Sequence, residues 1–422
     1  MNYSTDKSFA LEQDANDPLK NYREKFFIPT NRENKNEQIY FCGNSLGLQP
    51  KTVRAYVEQE LKDWELMGIE GVTEAKNPWL PYHEFLAKQT AHLVGAKESE
   101  VVNMNTLSVN LHLMMVSFYR PTKERNKIFI EGTAFPSDQY AVKSQLRFHG
   151  YSDDSLIEIF PKQNETYIKT EDILEVIERE GDKIALIMFA GVNYYTGQFF
   201  DLKKITKAGH KKGCMVGFDL AHAAGNIDVQ LHDWDVDFAV WCNYKYVNGG
   251  PGAIAGAFVH EKHHNDKNMP RFEGWWGNDK QTRFLMKPDF VPIPTVESWQ
   301  LSNPPILQLA SLKASLDIFE EAGIKNLREK SKKLTGYLEY LLIENGLTTK
   351  LTILTPADAK QRGCQLSLRF AKNGKEVFNK LMASDVICDW REPDVIRIAP
   401  TPLYNKFEEV YDFVQIVKSV LG

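Results

Sequence analysis

Two stretches decide the fold: Cys214-Met-Val-Gly-Phe-Asp-Leu-Ala-His222 and Trp241-Cys-Asn-Tyr-Lys-Tyr-Val-Asn-Gly-Gly-Pro-Gly252. The second overlaps an apolar run, Asp237-Phe-Ala-Val-Trp-Cys242, that predicts a buried strand ending at Lys245. Glycine and proline then break the chain. The first stretch places Asp219 at the end of another apolar strand. A lysine at the mouth of a buried strand is partly desolvated, which favours the neutral amine. A neutral amine is a nucleophile and forms Schiff bases with aldehydes. Taken singly, Lys245 reads as a snorkelling lysine and Asp219 as a helix cap. On neighbouring strand ends, the pair instead matches a lysine imine with a carboxylate for a pyridinium nitrogen. That is how proteins hold pyridoxal 5'-phosphate (PLP).

Working outward, strands predicted at 101–104, 127–131, 156–160, 184–189 and 253–259 join the two above. Helices predicted over 105–119, from Phe135-Pro-Ser-Asp138, and over 171–179 and 201–212 separate them, with Pro136 suited to a first helical turn. Such alternation implies an α/β fold, with a mostly parallel seven-stranded sheet sandwiched by helices. Ligands of such sheets bind beyond the carboxyl ends of the strands, where Asp219 and Lys245 stand. Residues 1–38 are charged and irregular, with weak helical character at 17–24; a short strand and a Gly-rich turn follow at 40–50, then helices at 51–67 and 83–94. Past Pro305 come two long helices, 306–320 and 325–344. A smaller α+β unit follows, with strands at 364–370, 386–389 and 395–399 and a helix at 406–420. The expected domains are 1–50 (arm and small-domain segment), 51–304 (large, PLP-binding) and 305–422 (small).

A chain of 422 residues, 43% hydrophobic and 25% charged, suits a globular protein of two or three domains. The net charge of −5 argues against nucleic-acid or acidic-membrane partners. No apolar run reaches the ~18 residues of a spanning helix. Residues 1–17 lack the apolar core of a signal peptide. Of the five cysteines, Cys42, Cys214, Cys242 and Cys388 sit in apolar runs and read as reduced core residues of a cytoplasmic protein. His263-His264, among Glu, Lys and Asn, reads as a solvated turn, and metal-ligand spacing is absent around it.

The phosphate of PLP needs a cradle. Asn105-Thr-Leu-Ser108, between a strand and a helix, offers backbone N–H groups and a hydroxyl. An ordinary Thr or Ser cap is an equal alternative. No Walker loop or dinucleotide fingerprint competes for it. Phe135 can lie on the cofactor ring with Asp138 turned inward; a core Phe and a first-turn Asp are the plainer readings. His222 can support Asp219 or the ring, and Tyr244 can bind phosphate or donate a proton. Arg397, between two isoleucines, suits a substrate carboxylate held bidentately, or is a surface-strand arginine.

Seven motifs carry a resemblance: Gly43-Asn-Ser-Leu-Gly-Leu-Gln-Pro50, Phe135-Pro-Ser-Asp138, Tyr195-Thr-Gly197, Gly217-Phe-Asp-Leu-Ala-His222, Asn243-Tyr-Lys-Tyr246, Ser302-Asn-Pro-Pro305 and Arg397-Ile-Ala-Pro400. From Tyr40 to Gly422 the chain resembles the kynureninases, PLP enzymes of fold type I. The resemblance implies that Lys245 carries the cofactor, Asp219 pairs with its pyridinium nitrogen, and His222 supports the ring. It implies Leu107, Ser108 and Tyr244 at the phosphate, and Phe135 and Asp138 around the ring. Trp275 and Asn303 would reach in from the partner subunit of a homodimer. Arg397 would bind the substrate carboxylate, with Ser302, Asn303 and Trp276 near the substrate, and Tyr244 would be a catalytic proton donor beside Lys245. The implied reaction converts L-kynurenine to anthranilate and L-alanine, in tryptophan catabolism and pyridine-nucleotide biosynthesis. Val72 stands where relatives can have a ring-facing His, and Ala190 where some have a hydroxyl. Ser302-Asn303 resembles the pair that accepts a hydroxylated ring, so 3-hydroxykynurenine stays open. The alternatives are a cysteine desulfurase or selenocysteine lyase of the same fold, or a PLP-binding regulator without turnover. The first needs a cysteine in a mobile polar loop, and none of the five lies in one.

Overall fold

The computed structural model describes residues 2–422. Its centre is one sheet of seven strands: β1 (Val101–Asn103), β2 (Lys127–Glu131), β3 (Leu156–Ile159), β4 (Ile184–Ala190), β5 (Met215–Asp219), β6 (Phe238–Trp241) and β7 (Gly256–Val259). Their order across the sheet is β1-β7-β6-β5-β4-β2-β3. Neighbours from β6 to β3 are parallel; β7 alone runs against both of its neighbours. The parallel part follows from composition. Residues 128–131, 184–189 and 216–219 are buried throughout, which requires cover on both faces. Side chains alternate between the faces. Phe129, Ile187, Phe218 and Trp241 enter one core. Ile128, Ile130, Met188, Phe238 and Val240 enter the other.

The expected helices and strands of this region are present, with ends shifted by a few residues. One shift matters for the site. β6 stops at Trp241, so Lys245 stands in the turn that follows rather than on the strand. The Asn243 side chain makes that turn: its Oδ1 accepts from Trp241 Nε1 at 3.0 Å, and its Nδ2 donates to the Ile254 carbonyl at 2.8 Å. Gly47 of the N-terminal segment packs on the turn from outside, its N–H donating to the Tyr244 carbonyl at 2.8 Å. A Cβ at Gly47 would lie 2.3 Å from the Lys245 carbonyl oxygen, so only glycine allows this approach.

The smaller unit has a four-stranded antiparallel sheet in the order Asp389–Arg391, Val395–Ile398, Leu366–Phe370, Leu351–Ile353. The strand Leu351–Ile353 and the helix Gly374–Ala383 were not anticipated. Nor was the helix Lys7–Ala15, within a stretch expected to be irregular. It buries only Ala10 and takes its support from tertiary contact, with Phe9 against the Tyr337 ring at 5.2 Å. The helices after Pro305 divide their buried side chains between two cores. Helix Ile306–Ala322 buries Leu309, Leu312, Leu316 and Phe319 in the large core, and Leu327 of the next helix follows them. From Leu334 onward the same helix, Ile324–Glu344, packs instead into the second core, which also holds Ala10 and Phe41.

His263-His264 is not a solvated turn. His264 is buried and its Nε2 bonds to the Val259 carbonyl at 2.9 Å. His263 Nε2 meets Asp237 Oδ1 at 2.8 Å. The cause is the buried Asp237 carboxylate, which collects His210, Lys262 and His263 and is held far below the usual carboxylate range by them. No helix among the described residues is long and apolar enough to cross a membrane.

Candidate active site

A cleft of about 500 Å³ opens at the carboxyl ends of the parallel strands. It gathers Leu107, Ser108, Phe135, Asp138, Asp219, His222, Tyr244 and Lys245, eight of the expected residues from four separate stretches of chain. Lys245 Nζ donates to His222 Nε2 at 3.1 Å. It lies 5.9 Å from the Phe135 ring centroid and 5.7 Å from that of Tyr244. Burial, reinforced by the Lys245 charge, drives the His222 imidazole well below its usual range, so the ring is neutral. With Nε2 accepting, its proton sits on Nδ1, which is buried and has no partner.

Asp219 closes β5, and its Oδ1 accepts the Ala221 N–H at 2.6 Å. Asp138, in the first turn of helix Pro136–Phe148, faces it within hydrogen-bonding reach. Burial and the Asp219 charge push the Asp138 carboxyl well above its usual range; burial also raises Asp219, against the pull of the Lys245 charge. Asp138 therefore holds the proton and Asp219 the charge. Asp138 Oδ1 is buried with no partner. Two residues that line the cleft thus each leave a buried polar atom unpaired, which is costly and favours a polar ligand there.

The other end of the cleft is the N-terminus of helix Leu107–Phe118. The Thr or Ser cap does not form: Thr106 is extended and its side chain makes no capping bond. Asn105, at φ 50°, turns the chain, and its side chain bonds Asn110 at 3.0 Å. The first N–H groups and Ser108 are left for an anion.

Arg397 is buried on the strand Val395–Ile398, not a surface-strand arginine. Its Nη1 donates to the Tyr194 carbonyl at 2.9 Å, and its Nη2 to Ser45 Oγ at 2.9 Å and to Asp389. The Tyr194 ring lines the cleft and meets Phe135 edge-on at 5.1 Å.

Five expected residues do not line this cleft within one chain: Arg397, whose partners are given above, and four others. Ser302 and Asn303 are exposed. Trp275 is 42% exposed. Trp276 is buried under the Arg283 guanidinium, 4.3 Å from its ring, inside its own chain.

Sequence reasoning missed Glu131, Tyr194, Asp389 and Arg391. Glu131 ends β2 fully buried, and the Ala190 N–H donates to its two oxygens at 3.1 and 3.2 Å. A lone acid closing an apolar strand was the available signal. Asp389 and Arg391 flank Trp390 on a three-residue strand too short to read.

A family model described as kynureninase C-terminal domain matches residues 327–417. The chain is 56% identical over 98% of its length to a protein named kynureninase from Koribacter versatilis, covering 97% of that protein. It is 56% identical over 99% of its length to one from Myxococcus xanthus, again covering 97%. Among solved structures, an apo cysteine desulfurase from Thermococcus onnurineus superposes with a TM-score of 0.74 at 18% identity, over 90% of this chain and 94% of that one. A C-DES variant with glycine covalently linked to its PLP cofactor gives 0.74 at 14%, over 90% and 96%. At those identities the structural likeness speaks for the fold alone.

Proposed function

The chain belongs to the kynureninase family, and we propose that it hydrolyses L-kynurenine to anthranilate and L-alanine with PLP held at Lys245. The observation that carries this reading is the convergence of Lys245, His222, Asp219 and Asp138 in one cleft, beside an uncapped helix N-terminus. The residues fit the cofactor: the orphaned Asp138 Oδ1 and His222 Nδ1 await polar partners, and the uncapped helix end suits a phosphate.

Bound PLP supplies the electron sink that makes the substrate Cα–H acidic and the Cβ–Cγ bond breakable. Leu107 and Ser108 would hold the phosphate, and Phe135 would cover the ring. The Asp138–Asp219 pair carries one negative charge and one proton, so Asp219 balances the pyridinium nitrogen without a second anion. Lys245 Nζ would hold the cofactor covalently and, as a free amine, would be the group placed to move the substrate's Cα proton. Neutral His222 accepts from that Nζ and adds no competing charge. Burial pushes the Tyr244 phenol far above its usual range, so it stays protonated and serves as the donor when the alanine carbon collects its proton. Arg397 fixes the α-carboxylate and thereby the direction of the Cα–H bond. Trp275 and Asn303 complete the site from the partner subunit of a homodimer, in the cytoplasm. The reaction belongs to tryptophan catabolism and pyridine-nucleotide biosynthesis.

A desulfurase reading of the shared fold finds no support in the cysteines. Four are buried, Cys42 is half-buried, and burial pushes the Cys42, Cys214 and Cys364 thiols up to about 11. The test is to reduce the holoenzyme with borohydride and map the labelled peptide, then to assay kynurenine, 3-hydroxykynurenine and cysteine for anthranilates, alanine and sulfide. Label at Lys245, anthranilate release and its loss in Lys245→Ala are expected. Label at another lysine, or sulfide without anthranilate, overturns the reading.

A further inference from the structure

Behind Tyr194, which lines the cleft, the small domain gathers more charge than Arg397 alone. Asp389 is the direct cross-strand partner of Arg397, and Arg391, two residues on, shares Asp389's face of its strand. Arg397 Nη2 and Arg391 Nη2 both donate to Asp389 Oδ2, the latter at 3.0 Å, and Ser45 Oγ donates to the same oxygen. Two guanidiniums thus share one carboxylate, which leaves the cluster at +1. Arg397 is 1% exposed, and the Nε of each arginine is buried without a partner. The Arg391 side chain is 36% exposed, so water screens part of the excess; the buried Arg397 charge and the orphaned N–H groups stay costly until a counter-charge arrives. What is missing has a definite chemistry: one planar monoanionic acceptor. Tyr194, whose carbonyl holds Arg397 Nη1, carries the cluster to the wall of the cleft against Phe135.

We propose that Arg391 is a second positioning residue for the substrate's α-carboxylate, holding Asp389 while that carboxylate takes the Nε–Nη2 edge of Arg397. In the structure Asp389 caps Nη2. In the filled site the +1 cluster meets one negative charge, and Asp389 keeps Arg391 as its partner. The inference rests on the proposed function only in assuming a substrate with an α-carboxylate.

The test titrates holoenzyme with L-alanine, read by the change in cofactor absorption, and with L-alaninamide, which lacks the carboxylate. Arg391→Gln makes the cluster neutral, and its half-saturating L-alanine concentration should rise about tenfold, with L-alaninamide unaffected. Asp389→Asn added to Arg391→Gln restores +1 and should bring the value back to within about threefold of the starting protein. Asp389→Asn alone raises the cluster to +2 and should tighten L-alanine about threefold, which keeps the idea testable where Arg391→Gln fails to fold. An Arg391→Gln protein that binds L-alanine as before, a double variant no better than the single, or Asp389→Asn without tightening each overturn it. Kynurenine turnover is scored separately. Loss of the kynureninase reading with this alanine pattern intact leaves the clamp standing, and normal turnover with a flat pattern removes the clamp alone.

Discussion

Glu131 offers a sharp physical test of the site, because its carboxyl is fully buried at the end of β2 and touches neither Lys245 nor solvent. Burial pushes that carboxyl up from 4.5 to about 8, with the charge of Asp219 adding to the effect against the pull of the Ala190 N–H. The folded state therefore binds the Glu131 proton more tightly than the unfolded chain does. Between 4.5 and about 8 the folded protein keeps a proton that the unfolded chain releases, so this group costs stability as pH rises through that window. Each pH unit is worth 1.36 kcal/mol, so the window holds roughly 5 kcal/mol as an upper limit, and roughly 4 of it lies between pH 5 and 8. Glu131→Gln keeps the shape and an oxygen for the Ala190 N–H, but has no proton to lose. Urea unfolding of both apoproteins at pH 5, 6, 7 and 8, at one protomer concentration, gives the difference between two curves. Asp138 and Asp219 remain in both proteins, so their titrations largely cancel. The variant should gain on the parent steadily with pH, by about 2–4 kcal/mol from pH 5 to 8. Parallel curves would show that Glu131 is ionised throughout or is solvated, and would refute the reasoning.

Two structural predictions follow from packing and buried charge. Lys330 and Asp17 form a 2.7 Å ion pair with side chains only 8% and 5% exposed, tying the N-terminal segment to helix Ile324–Glu344. Asp17→Ala strands a buried ammonium and should cost about 3–5 kcal/mol in urea unfolding, most of it recovered in Asp17→Ala with Lys330→Met; equal losses in both variants would contradict this. A Cβ at Gly217 would sit 2.1–2.4 Å from atoms of the Phe238 ring, which is itself stacked on Phe118 at 4.9 Å and cannot retreat. Gly217→Ala should lower stability by about 3 kcal/mol or more, and an unchanged thermal midpoint would mean that β5 and β6 can part.

The legible part of the molecule is the part governed by local periodicity. Continuously apolar strands such as 184–190 announce a sheet covered on both faces, and β/α alternation sets its parallel sense. The pair Asp219 and Lys245 could be placed at the carboxyl ends of that sheet's strands, and with it the cofactor chemistry. Reading failed where the stabilising partner is distant in sequence. Helix Lys7–Ala15 has no apolar stripe of its own and stands on Tyr337. The strand Asp389–Arg391 has three residues and no pattern, yet supplies two charged groups beside Arg397.

The chain's own order of residues thus determined which groups can do chemistry: one amine, one imidazole, two acids and a guanidinium. Tertiary structure alone decided their protonation and partners. Burial and opposing charges split Asp138 from Asp219, silenced His222, and set two arginines around a single Asp389. Desolvation and Coulomb energies depend on three-dimensional distance, and distances between residues hundreds of positions apart are written nowhere in a local pattern.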